Sequence, residues 1–303
     1  MNDPFANTSL APSSRSLFSK KLKQFATFMP DGKQTIQFVV DNPEKAAKAL
    51  KAQTAIAQTE ANRHLFYSAV VAYLKHTDDG KRRSEPLKQR WETLQKENWE
   101  VRRQQSLDNE PLQAQQTVAN TLTWQDVVKR REELPRGSIE RLLLSLYTHL
   151  PPVRADYYAV KINPNPIPAT MTKTNYIIVG PTAATSTMVL RDFKTSGKYK
   201  EIKSALPQGL YDDIQASLKE ATRPYLFTMP TDPTRPYDRG AFSKWANKVL
   251  TATFQVPMTL TTLRHLYVST LDFNKTKASE LERIGNSMGH SIAMQKGYQW
   301  IKN

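Results

Sequence analysis

Extended-type segments are confined to one short part of this 303-residue chain. Three runs, Tyr176–Val179, Met188–Phe193 and Ile202–Leu206, carry the β-branched and aromatic residues that suit a pleated surface. The last two flank Lys194-Thr195-Ser196-Gly197-Lys198, a turn-rich stretch that predicts a hairpin. Elsewhere apolar residues recur mainly at helical spacing. Leu65, Phe66, Ala69, Val70, Tyr73 and Leu74 form one such stripe, and Leu87, Trp91 and Leu94 form another. The pattern predicts an α+β chain: an N-terminal all-helical domain, then a mainly helical domain with a small antiparallel sheet.

Punctuation residues place the boundaries. Residues 1–14 are polar and rich in Pro and Ser, which predicts a disordered N-terminus. A helix carrying Leu17, Phe18, Leu22 and Phe25 is stopped by Pro30-Asp31-Gly32, and Asp78-Asp79-Gly80 breaks a later one. Residues 15–104 therefore read as a small helical domain. Residues 105–121 lack a strong apolar period and suit a linker. In the domain predicted over 122–303, helices are expected near 124–133, 138–149, 207–221, 239–253, 264–272 and 277–287. The segment 228–240 reads as an exposed loop.

Net charge is +15, and the excess of Lys and Arg is spread over both halves. A basic surface of that extent suits a polyanion, and double-stranded DNA fits it better than a membrane surface. The absence of cysteine excludes disulfides, thiolate metal sites and Cys nucleophiles. No apolar run approaches the ~20 residues of a membrane helix. The first thirty residues lack a signal-peptide core, so an intracellular protein is expected. With ten glycines and no Walker-type loop or Gly-x-Gly-x-x-Gly fingerprint, no nucleotide cofactor is expected.

Chemistry concentrates at a few positions. Arg264 lies in Leu263-Arg264-His265, and its planar fork matches phosphate oxygens. His290, in Met288-Gly289-His290-Ser291, can hydrogen-bond or pass a proton near neutrality. Tyr298 can act as a covalent nucleophile once oriented. Lys194, at the mouth of the expected hairpin, could protonate a leaving oxygen, with Lys198 the alternative. Arg154 could cap the preceding helix or clamp phosphate.

The order of these motifs, with Leu150-Pro151-Pro152-Val153-Arg154-Ala155-Asp156-Tyr157, resembles the tyrosine recombinase and integrase family, which shares its catalytic domain with type IB topoisomerases. The resemblance covers roughly residues 122–303 and looks most like the divergent branch carried by eukaryotic viruses and mobile elements. It implies that Arg154 and Arg264 grip a scissile DNA phosphate while Tyr298 attacks it. A 3′-phosphotyrosyl link results, Lys194 or Lys198 protonates the 5′-oxygen, and His290 assists. It further implies a site-specific recombinase that needs neither metal nor ATP. Its helical 15–104 domain would serve as the core-binding half of a C-shaped clamp on DNA. The implied assembly is a homo-tetramer on two recombining sites, working at DNA in a host nucleus or viral replication compartment.

Three departures stand out. Thr261 occupies the position three before Arg264 where much of the family has histidine; it can touch phosphate but cannot act as acid or base near pH 7. Tyr298 follows His290 by eight residues, one fewer than in the bacterial pattern. An acidic residue stands two positions after Arg154, not three. Alternative readings are a topoisomerase-like relaxing enzyme and a DNA-binding protein with reduced catalysis.

Overall fold

Thr35, Thr59 and Thr77 each cap a helix in the N-terminal unit, their hydroxyls accepting from the backbone N–H groups of Phe38, Asn62 and Gly80. The computed structural model describes residues 3–53, 56–57, 59–107 and 111–300, and divides into two units, Met1–Asp108 and Asn109–Asn303. Among the described residues the first contains helices and no strand: α1 (Pro12–Ala26), α2 (Ile36–Asp41), α3 (Pro43–Lys51), α4 (Glu60–His76), α5 (Asp78–Lys81) and α6 (Glu85–Leu107). The apolar run of α4 is buried almost all round, packed between α1 and α6. Trp91 on α6 is fully buried, and its indole N–H donates to the Val40 carbonyl at 2.8 Å.

Two expectations change here. The N-terminal segment is ordered from residue 3: Phe5 is fully buried against Phe18 and Tyr73, and Arg15 donates to the Ala6 carbonyl. One apolar anchor in a polar stretch outweighs the composition. Asp78-Asp79-Gly80 is not merely a break but a helical turn folded back on α4. A Cβ on Gly80 would stand 2.2 Å from the Tyr73 carbonyl oxygen. Gly80→Ala is therefore expected to destabilise this unit by about 1–3 kcal/mol, read as a lower denaturant midpoint.

The second unit comprises α7 (Gln113–Thr121), α8 (Trp124–Glu133), α9 (Ile139–His149), β1 (Lys161–Ile162), β2 (Tyr176–Ile178), β3 (Thr187–Leu190), α10 (Ser196–Tyr199) and β4 (Ile202–Ala205). These are followed by α11 (Gln208–Glu220), β5 (Thr228–Met229), β6 (Asp232–Pro236), α12 (Arg239–Phe254), α13 (Leu260–Val268), α14 (Ala278–Ser287) and α15 (Ile292–Lys296). Leu142 to Tyr147 of α9 are all buried, and α8, α11 and α12 pack around that helix. Its one polar core residue, Ser145, donates to Asp213, which is also ion-paired to Arg141 at 2.8 Å. Ile177, Met188, Leu190 and Ile202 of the sheet join the same core.

The chain is α+β, as its patterning predicts, with local corrections. The four-stranded sheet is mixed: β1 pairs parallel to β2, while β2–β3 and β3–β4 are antiparallel. β3 and β4 are joined through the short α10, not by a tight turn. The expected loop 228–240 contains a β5–β6 hairpin and the start of α12. Part of the expected linker is α7, which places Val118 and Ala119 in the core; residues 108–110 lie outside the described residues. Among the described residues no helix is long and apolar enough to cross a membrane.

Candidate active site

Consecutive prolines after α9 end the helix, because Pro151 and Pro152 offer no backbone donor. The chain then turns under two restraints: the Tyr147 hydroxyl donates to the Arg154 carbonyl at 2.6 Å, and the Arg154 N–H donates to Asp156 Oδ2 at 3.2 Å. Both hold the Arg154 backbone, and among the described residues its half-buried guanidinium forms no ion pair.

Arg264 rises from α13, which starts where the Thr259 hydroxyl accepts from the Thr262 N–H. It is 1% exposed. Its Nη1 donates to the Pro152 carbonyl at 2.7 Å and to the Met288 carbonyl at 3.4 Å, and Nη2 donates to His290 Nδ1 at 2.8 Å. One side chain thus ties the post-α9 turn to the His290 turn. Its Nε–H has no partner.

The His290 turn depends on Gly289, whose φ of +68° is a left-handed conformation that favours glycine. A Cβ there would also stand 3.2 Å from Thr195 Oγ1. Ser291 then caps α15, and after one more turn Tyr298 returns to the site. The Tyr298 ring lies 4.6 Å from the Arg264 guanidinium and 5.5 Å from the His290 ring, the two rings stacked.

Because arginine only donates, His290 Nδ1 must accept from Arg264, and a neutral ring then carries its proton on Nε2. That Nε2–H is buried without a partner. Burial, then the charges of Arg264 and Arg154, push the His290 pKa down to about 3. With Nδ1 accepting from Arg264 and its pKa lowered, His290 stands as a neutral ring that can donate through Nε2, the hydrogen-bonding half of what its sequence suggests. Burial would raise the Tyr298 phenol, but Arg264 and Arg154 outweigh it and bring it below the ordinary tyrosine value. Ultraviolet difference titration should find Tyr298 ionising early, and Arg154→Ala should move that step upward.

Arg154, Arg264, His290 and Tyr298 are thus gathered. Lys194 is exposed, but its neighbours hold the loop to this site: Phe193 packs beside Gly289, and Thr195 donates to the Gly289 carbonyl at 2.7 Å. Lys198 is exposed on α10, lying over the Tyr199 ring. Thr261 is exposed on the first turn of α13, three residues before Arg264.

Other participants carried little sequence signal. Asp156 is 2% exposed and ion-paired to Arg239 at 3.3 Å. Burial raises its pKa against the pull of Arg239, Arg154 and Arg264, so three cations surround one buried carboxylate. Arg239 also donates to the Asp192 carbonyl at 3.0 Å. The His265 side chain reaches out of α13: Nδ1 donates to the Tyr298 carbonyl at 2.8 Å, and its ring stacks on Trp300. Only the Arg-His adjacency hinted at that. Among the described residues no group of three or more His, Cys, Asp or Glu is placed to hold a metal ion.

No family model and no curated protein matches the chain. Among solved structures, XerA recombinase is similar over 97% of this chain and 89% of its own, with a TM-score of 0.43 and 13% identity. A likeness of that size does not bear on function.

Proposed function

We propose that this chain cleaves and rejoins DNA strands as a tyrosine-type site-specific recombinase or integrase. One observation carries the reading. A fully buried guanidinium, Arg264, forms no ion pair among the described residues, although Asp156 lies near enough to feel its charge, and it stands with a second arginine, a buried N–H donor and a phenol of lowered pKa. Burying a cation is costly unless an anion joins it. A phosphodiester between Arg154 and Arg264 supplies that anion, and the His290 Nε2–H and Arg264 Nε–H are free to donate to its oxygens.

Tyr298 loses its phenolic proton to solvent, its Oη attacks the phosphorus, a P–O bond to tyrosine forms, and the bond to the 5′-oxygen breaks. The leaving oxygen takes a proton from Lys194, with Lys198 the alternative. Charge developing on the non-bridging oxygens is met by cations already in place. The tyrosyl ester conserves the bond's energy, so a second 5′-hydroxyl reverses the step without ATP. The phosphate's negative charge also raises His290 from its depressed pKa on binding, which brings it closer to proton transfer.

The family resemblance adds that duplex DNA is held by both domains, that the assembly is a homo-tetramer on two sites, and that the element is viral or mobile. The test is covalent capture from a pool of duplexes of randomised sequence, each nicked so that cleavage cannot be reversed. A denaturant-resistant adduct through Tyr298 is expected. Duplexes that are bound but never attached would leave only a DNA-binding protein. Relaxation of supercoils by monomer, without joining of two duplexes, would select the topoisomerase alternative.

A further inference from the structure

Between His290 and Tyr298 lies a residue with no assigned task. Gln295, on α15, is 0% exposed, yet neither atom of its side-chain amide has a hydrogen-bond partner. Leaving two amide groups buried and unpaired costs on the order of 1–3 kcal/mol each, so such a group calls for a reason. Its neighbourhood suggests one. A Cβ built on Gly285 would stand 3.6 Å from Gln295 Oε1 and 3.7 Å from His290 Cδ2. The same position is 2.8 Å from the His290 carbonyl oxygen, so the amide oxygen and the Cδ2 edge of the imidazole, which leads to Nε2–H, crowd the same side of Gly285. Among the described residues the His290 Nε2–H has no acceptor there, and neither the oxygen nor the nitrogen of the Gln295 amide has a partner. The Gln295 carbonyl also accepts the Tyr298 N–H at 2.9 Å, so this residue helps turn the chain that delivers the phenol.

We propose that Gln295 is a positioning residue whose side-chain amide accepts the His290 Nε2–H in the free protein and yields it when a phosphate oxygen arrives. A turn about its last side-chain bonds makes the contact, and Arg264 holds the opposite ring nitrogen throughout. The imidazole is kept in one tautomer and one orientation, facing the place of reaction. The inference builds on the proposed function for what replaces Gln295, but its first half concerns the free protein alone.

It is tested by nitrogen-15 NMR of histidine-labelled protein without DNA. The charged groups facing His290 are Arg264, Arg154 and the Tyr298 phenol. Gln295→Glu places a carboxylate at the Nε2 edge and should raise the His290 titration by about 1–3 pH units. Gln295→Leu removes the acceptor and should shift the Nε2-bound proton upfield and speed its exchange with water. A merely structural Gln295 would leave both signals unmoved while changing Tm. An unmoved titration in the Glu variant, with an unchanged Nε2–H in the Leu variant, overturns the proposal. NMR changes without any DNA adduct from wild type would instead count against the recombinase reading.

Discussion

Tyr298→Phe is expected to bind DNA as wild type does and to form no covalent adduct. Removing a nucleophilic oxygen costs on the order of 10⁶-fold in turnover in enzymes that depend on one. The fold should survive, because the ring keeps its place against Arg264 and His290 and loses only a hydroxyl. The linkage sign supports this. A phenol whose pKa is lowered in the folded state adds stability that is full above its unfolded value, partial between the two values, and lost as pH falls through the lowered one. The variant's Tm should therefore part from wild type on the alkaline side. Adduct formation on a nicked duplex, read beside a binding isotherm, makes the measurement. An adduct formed by Tyr298→Phe would move the nucleophile elsewhere.

Arg264→Ala should abolish cleavage, by about 10³- to 10⁵-fold, the range for removing an arginine that stabilises transferring phosphoryl charge. DNA affinity should fall little, because many other cations contribute to binding. The variant should also lose about 1–3 kcal/mol of stability, since the Pro152 carbonyl and His290 Nδ1 both lose their donor. Arg264→Lys separates charge from geometry. An ammonium keeps the charge, but lacks the planar fork that reaches Pro152, Met288 and His290 together, and it should rescue poorly. A large, uniform fall in DNA binding with Arg264→Ala would contradict this division between holding DNA and cutting it.

Local rules were enough for much of the chain. α8 and α9 begin where Thr123 and Ser138 can cap them, and an apolar stripe sets their length. The same rules failed for α13, expected over 264–272 but found at Leu260–Val268, because the Thr259–Thr262 cap sets its start four residues earlier. β1 has two residues and β5 has two, too few for any periodic signal; only their partners define them. The mixed sheet and the β5–β6 hairpin were invisible for that reason.

For the site, residue order was informative where side-chain type is itself the chemistry. Arginine, histidine and tyrosine at 154, 264, 290 and 298 could be named from their motifs, because phosphate binding and nucleophilic attack need those functional groups. Local sequence could not show their environment. A buried histidine at a pKa near 3, a buried arginine tied to the Pro152 carbonyl, and the unpaired amide of Gln295 all arise from contacts across long stretches of chain. Residue type and short-range spacing determined most of the helices and singled out the arginines, histidine and tyrosine that the fold brings together. Burial and charge proximity, which depend on distant segments meeting, belong to the tertiary structure alone, and they lower the pKa values of His290 and Tyr298.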